Sequence, residues 1–206
     1  YNQIQDVPLP IWHHEGLNQL ELATNRIEVI PETIDMKSLV VLTLTNNSIS
    51  VIPTAIGNLP ILNVLELDGN LLTELPKELS ALKGTLEWLS VSRNNLTAMS
   101  FPKEMAEMKR LGTFDLRNNS VALLPTWFNE LTGLEQLMVA DNPLCRNGWV
   151  SMASGRLKAL VNTKGVGCSR QCSFMCPNVH LQMDFCWRQC NHIDCCYSGG
   201  SCGIDA

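Results

Sequence analysis

Apolar residues recur through the first two-thirds of the chain in one fixed order, with a period of 22 to 25 residues. The first complete unit fills the pattern L-x-x-L-x-L-x-x-N-x-I-x-x-I-P-x-x-I from Leu17 to Ile34. The alternation around Leu20 and Leu22 predicts a short strand with one buried face, and the I-P-x-x-I half predicts a short helical or extended return. The asparagine recurs at Asn25, Asn47, Asn70, Asn94, Asn119 and Asn142. Its amide is expected to bond backbone groups of adjacent turns that lack other partners.

This pattern resembles the leucine-rich repeat family. The resemblance implies an α/β solenoid, a horseshoe arc whose parallel strands form the concave side. We expect one partial unit and six strands over residues 1–144. At least three units are needed, because a single unit cannot bury its apolar face. Around Met99 to Pro102 the pattern gains residues, so the convex side should bulge there.

The first unit is already half complete at Tyr1, because Asn2, Ile4 and Val7 fill its second half. We therefore expect the chain to continue upstream, where a signal sequence or a membrane anchor would lie. The segment given has no apolar run near the roughly 18 residues that a membrane span requires.

Charge is distributed unevenly along the chain. Residues 1–144 hold 17 acidic and 9 basic side chains, whereas residues 145–206 hold 3 and 6. An acidic repeat region repels phosphates and argues against a nucleic-acid partner.

Side chains that alternate with the buried leucines are expected on the concave face, where the resemblance implies that a protein or peptide ligand binds. Trp88 is the main candidate, because interface hot spots are enriched in tryptophan and arginine. Val64 beside it and Arg93 at the strand end would complete an apolar centre with a polar rim. The alternative is that Trp88 packs flat across neighbouring strands and touches no partner. The candidate partner-binding residues are Glu21, Thr43, Val64, Glu66, Asp68, Trp88, Ser90, Arg93, Asp115, Arg117 and Met138.

The acidic members of this set, together with Asp141, form a stripe. The stripe would attract a basic partner, or it is simply the solvated face of the solenoid.

The run DNPLC, ending at Cys145, resembles the end of extracellular leucine-rich repeats, where a cysteine-bearing cap follows the last strand. Apolar residues from Trp149 to Val161 then recur at helical spacing and predict a cap helix. We assign residues 145–168 to this cap and expect a disulfide between Cys145 and Cys168.

All nine cysteines follow residue 144. Six of them are separated by three, nine, three, four and six residues: Cys172, Cys176, Cys186, Cys190, Cys195 and Cys202. This spacing resembles the Notch-type (LNR) repeat, a small extracellular module with three disulfides and a calcium ion. The resemblance implies such a module over residues 169–206 and an extracellular location. The implied pairs are Cys172–Cys195, Cys176–Cys190 and Cys186–Cys202, which leaves Cys196 as the free thiol.

A zinc site at Cys168, Cys172, Cys176 and His180 is the alternative interpretation of the cysteine cluster. The disulfide interpretation is favoured, because structural zinc sites prefer tight C-x-x-C pairs and a short segment with few large apolar residues needs covalent links.

Calcium is not expected as a cofactor, although the resemblance raises the question. Trp187, Ser198 and Ser201 stand where the Notch-type repeat has carboxylates. Calcium needs six to eight oxygen ligands, carboxylates among them. The remaining weak candidates are Asp184, Asn191 and Asp194.

No grouping of nucleophile, base and orienting residue is present, so we expect no enzymatic activity. His13, His14, His180 and His192 fit no catalytic motif. Sequons at Asn46, Asn95 and Asn118 make the chain a candidate glycoprotein.

The sequence thus predicts an extracellular or cell-surface protein-recognition module that binds its partner on the concave face. Two alternatives remain. One is a structural spacer whose Notch-type module docks intramolecularly, and the other is an intracellular scaffold with a zinc-binding tail.

Overall fold

The computed structural model describes residues 2–145. Six short strands form one sheet in which all strands are parallel and lie in chain order. They are β1 (Gln19–Glu21), β2 (Val41–Thr43), β3 (Val64–Glu66), β4 (Trp88–Ser90), β5 (Thr113–Asp115) and β6 (Gln136–Met138). The strands predicted from the repeat pattern are therefore present, one in each complete unit.

The strand register places the central apolar residue of every strand in a single row. This row is Leu20, Leu42, Leu65, Leu89, Phe114 and Leu137. All of these except Leu20 are fully buried. Because side chains alternate along a strand, the residues on either side of this row point to the opposite, concave face.

Short helical turns form the convex side. They comprise α1 (Leu9–Trp12) and 3-10 helices at Thr54–Asn58, Lys77–Leu82, Ala98–Ser100, Lys103–Glu107, Thr126–Glu130 and Pro143–Cys145. A proline immediately precedes four of the 3-10 helices, with φ between −56° and −72°. The fixed φ of proline suits this entry position, where its missing N–H is not needed.

The unit that gains residues in the sequence also gains a turn in the structure. The extra 3-10 helix Ala98–Ser100 is capped by Thr97, and Ser100 donates a hydrogen bond to the Thr73 carbonyl of the preceding unit. Phe101 then enters the core and packs edge-on against Phe114 and Phe128, with ring centroids 6.2 Å and 5.5 Å away. Three aromatic rings thus fill the wider space behind this unit.

The recurring asparagines form a buried ladder, as the sequence predicts. Asn94 is typical: its Oδ1 accepts a hydrogen bond from the Leu72 N–H at 2.9 Å. Its Nδ2 donates to the carbonyls of Leu67 and Val91, both at 3.0 Å. Each of these asparagines from Asn47 to Asn142 bonds the preceding turn in the same manner. The ladder therefore satisfies backbone groups that neither strand nor helix satisfies.

The residue before each ladder asparagine has a positive φ. These residues are Thr24, Asn46, Gly69, Arg93, Asn118 and Asp141, with φ from 52° to 62°. Glycine and asparagine tolerate this left-handed conformation, whereas a β-branched residue is strained in it. The turn after β1 therefore carries a cost at Thr24 that the turns at Asn46 and Asn118 avoid.

Several sequence predictions fall outside residues 2–145: the cap helix, the Notch-type module with its three disulfides, Cys196, and the calcium candidates Asp184, Asn191 and Asp194. Cys145 is buried and disulfide-bonded. Its pairing with Cys168 stays a prediction, since the partner lies outside the described residues. Within residues 2–145, no helix is long and apolar enough to cross a membrane, and no group of three acidic, histidine or cysteine residues could hold a metal ion.

We expect Asn94→Ala to lower the free energy of unfolding by about 2–4 kcal/mol, because it leaves buried backbone groups of two turns without partners. Urea denaturation measures this value. The control is Asn95→Ala, since Asn95 is exposed and its side chain makes no hydrogen bond in the described structure. Equal losses in the two variants would contradict a structural role for the ladder.

Thr24→Asn should raise the free energy of unfolding by about 0.5–1 kcal/mol, because asparagine accepts the left-handed backbone that strains threonine. Thermal and urea unfolding both report the change. Thr45→Asn is the matched control, as Thr45 lies two residues beyond β2 and has no positive φ. A gain of the same size in the control would show that strain at position 24 is not the cause.

Candidate binding face on the parallel sheet

The concave face consists of the strand side chains that point away from the buried row. Glu21 and Gln19 on β1 are exposed, as is Gln136 on β6. Toward the centre of the sheet most polar side chains are covered by their neighbours. The apolar side chain of Trp88 on β4, by contrast, keeps 37% of its surface open to solvent.

Trp88 lies between Val64 of β3 and Thr113 of β5 in the strand register. Val64 is half-buried and Thr113 is buried, so neither projects beyond the indole. A large ring that keeps more than a third of its surface open on a central strand offers apolar area for a partner to cover.

Asp68 follows β3, and β4 fixes its orientation. Its Oδ1 accepts hydrogen bonds from the Ser90 hydroxyl, the Ser92 N–H at 3.0 Å and the Ser92 hydroxyl at 2.5 Å. Asp68 Oδ2 accepts none within residues 2–145. One oxygen is therefore held by the protein while the other is available.

Asp115 and Arg117 form an ion pair at the end of β5. Arg117 donates from Nη2 to Asp115 Oδ2 at 2.6 Å, and from Nε to both carboxylate oxygens at 3.0 Å. The hydrogen bond with Asp115 raises the pKa of Arg117; partial burial opposes this rise, and the charges of Asp115, Asp68 and Asp141 add to it. Arg117 is thus a fixed cation surrounded by carboxylates.

Two of the predicted partner contacts, Ser90 and Asp115, are buried in the structure, and their contact with a partner stays a prediction. Ser90 is 4% exposed and Asp115 is 3% exposed. Ser90 is turned to Asp68, and Asp115 to Arg117, so neither presents its own surface. Both residues act on the face indirectly, by holding a charged neighbour in place.

The remaining predicted residues lie around this centre. Glu66 Oε2 accepts a hydrogen bond from Thr43 Oγ1 at 3.2 Å, which joins β2 to β3. Glu21 is exposed on the first strand. Met138 is only half-buried and packs against the core.

Arg93 lies on the edge of the sheet where the strands end. Its Nη2 donates to Asn46 Oδ1 at 3.1 Å, although the two residues belong to units separated by one turn. Gly69 occupies the intervening turn, and a Cβ there would lie 2.5 Å from Asn46 Oδ1. The missing side chain at Gly69 therefore leaves room for Asn46 and for the bridge that Arg93 makes.

Ser92, Gly69 and the Arg93–Asn46 bridge were not predicted as parts of the site. Repeat alignment offers a signal for Ser92, since it stands beside Asp68 on the next strand. The bridge leaves no such signal, because it joins side chains two units apart.

The repeat region matches the leucine rich repeat family over residues 15–72 and 37–96. A leucine-rich repeat protein of Leptospira interrogans has a similar structure, with a TM-score of 0.65 and 38% identity over 69% of this chain and 36% of that one. The ectodomain of the Arabidopsis thaliana membrane receptor kinase GASSHO1/SCHENGEN3, solved in complex with Casparian strip integrity factor 2, has a TM-score of 0.51 and 28% identity over 68% of this chain and 20% of that one.

Among sequence relatives, the probable inactive serine/threonine-protein kinase roco10 of Dictyostelium discoideum is 33% identical over 135 residues, or 63% of this chain and 5% of that protein. The chain spans a third or less of the curated relatives it matches. The period of the sequence, the sheet that it builds and the family match agree: residues 15–96 match the leucine-rich repeat family, and the sheet continues the same architecture through β6.

Proposed function

We propose that the chain is an extracellular recognition module that binds a protein or peptide on its concave face. Leucine-rich repeat proteins generally mediate protein–protein interactions. The observation that carries the choice of face is Trp88, a large apolar side chain left open on a central strand among fixed polar groups. Buried aromatic anchors surrounded by polar groups are typical of interface hot spots.

The size of the face suits a small partner. Neighbouring strands lie about 4.8 Å apart, so six of them span roughly 25 Å from edge to edge. A peptide, a loop or one small domain would cover this width. The plant receptor ectodomain, which has a similar fold and was solved with a bound factor, supports a ligand of this kind.

The extracellular part of the proposal is supported by the cysteines. All nine follow residue 144, and Cys145 is disulfide-bonded. Stable disulfides belong to oxidising compartments. The same argument favours the Notch-type disulfide module over a zinc site. A protein of the secretory route would also meet the glycosylation machinery, for which the sequons at Asn46, Asn95 and Asn118 are candidate sites.

Trp88→Ala should weaken the binding of concave-face ligands by about 2 kcal/mol or more, as removal of an anchor does. Peptides selected from a displayed random library on the full chain serve as probes, and their affinities for each variant are measured by calorimetry. Met99→Ala is the control, because Met99 is 93% exposed and lies in the convex turn Ala98–Ser100.

Glu32 is a poorer control than Met99, although it is also convex. Its carboxylate accepts hydrogen bonds from the N–H and the hydroxyl of Thr54, so Glu32→Ala disturbs the next unit. Selected peptides that bind Trp88→Ala as tightly as the unmodified chain would refute recognition at this face.

The extracellular proposal predicts the thiol content. After secretion and alkylation without reduction, intact mass should show at most one free thiol in each chain, because eight of the nine cysteines can pair. The fully reduced and alkylated protein calibrates the mass change per thiol. Five or more labelled cysteines would contradict the extracellular assignment.

A further inference from the structure

The charges of the concave face do not balance. This face carries the carboxylates of Glu21, Glu66 and Asp68 in addition to the ion pair between Asp115 and Arg117. Neither Glu66 nor Asp68 forms an ion pair within residues 2–145, and Arg117 is already bonded to Asp115 through Nε and Nη2. Arg93 does not compensate, since its guanidinium is turned to Asn46 at the edge. The unpartnered sheet face therefore carries a net negative charge next to its exposed indole.

Glu66 and Asp68 are oriented with free acceptor capacity. Ser90 and Ser92 hold Oδ1 of Asp68, and Thr43 holds Oε2 of Glu66, whereas the second oxygen of each carboxylate accepts no hydrogen bond within residues 2–145. A carboxylate whose rotamer is already fixed loses little conformational entropy when it binds a donor.

Trp88 is close enough to share one ligand side chain with these carboxylates. Val64 pairs with Trp88 and Glu66 pairs with Ser90, so Trp88 and Glu66 are diagonal neighbours on the same face. Strand spacing and the rise per residue place their backbones about 8 Å apart. An extended basic side chain spans that distance, with its aliphatic stem on the indole and its charged end at the carboxylates.

We propose that the concave face binds an extended basic segment of its partner, which places a lysine or arginine side chain between Trp88 and the carboxylates of Glu66 and Asp68. This inference rests on the proposed function and names the chemistry of its partner. Charge complementarity selects the occupant: an acidic segment would meet two carboxylates that form no ion pair within residues 2–145, and an uncharged segment would leave both without one.

Two nine-residue probes test the proposal on the full chain: a peptide with alternating lysine and serine, and its counterpart with glutamine in place of lysine. Affinities are measured by fluorescence anisotropy at low and at physiological salt. The lysine peptide should bind at least tenfold more tightly than the glutamine peptide, and the difference should shrink with salt, because surface charge pairs are screened.

The decisive comparison uses two variants of equal net charge. Glu66→Gln combined with Asp68→Asn should weaken the lysine peptide about tenfold, whereas Glu28→Gln combined with Glu74→Gln should change its affinity less than twofold. Glu28 and Glu74 are exposed on the return segments, outside the sheet. Thermal unfolding checks that all variants fold, and Glu66→Gln alone serves if Asp68→Asn disturbs the turn.

Equal weakening by the two double variants would overturn the inference, because binding would then follow total charge and not this site. Library peptides that depend on Trp88 but are neutral or acidic would also overturn it, while leaving recognition at the concave face intact. Library peptides that ignore Trp88 would instead refute the proposed function itself.

Discussion

Every turn of this solenoid must satisfy backbone groups that no regular structure satisfies. Strands of three residues pair only a small part of each unit, and each tight turn from Asn47 to Asn142 buries its ladder asparagine, although most of the residues just before these asparagines are exposed. An unpaired buried N–H or carbonyl costs about 1–3 kcal/mol, so the architecture depends on a group that both donates and accepts at each turn. Asparagine supplies both from one short side chain. Its carbonyl oxygen takes an N–H of the preceding turn, and its amide bonds carbonyls of that turn and its own.

The ladder also explains the constraint on the residue before it. For the amide to reach inward, the chain must turn sharply at the preceding position, and all six of these residues adopt the left-handed conformation. At five of them a side chain projects at the edge of the sheet, and at the sixth Gly69 leaves a gap. The gap permits the hydrogen bond between Arg93 and Asn46. A requirement of the backbone thus determines which side chains meet on the edge beside the concave face.

The repeat fold could be predicted from the sequence because it depends on local regularity. The strand row from Leu20 to Leu137 and the asparagine ladder follow from positions within one unit, and repetition confirms the alignment. The centre of the candidate site could not be predicted in the same way. Whether Ser90 is exposed depends on Asp68 one strand away, and Asp115 is covered by its own neighbour Arg117. Such lateral contacts depend on which polar residues happen to share a row, and the repeat pattern leaves those positions free.

The same lateral contacts fix the orientation of the charged side chains on the concave face. The hydroxyl groups of Ser90 on β4 and of Ser92 just beyond it fix Asp68. Thr43 fixes Glu66, and Asp115 fixes Arg117. A partner therefore meets charges that are already oriented, and little side-chain entropy remains to be lost on binding. Trp88 adds a large apolar contact area at low entropic cost, because only two side-chain torsion angles have to be fixed. Because the ladder and the leucine core hold the strands rigidly from the other side, the concave residues can vary without loss of the fold, and recognition can be set by side chains alone.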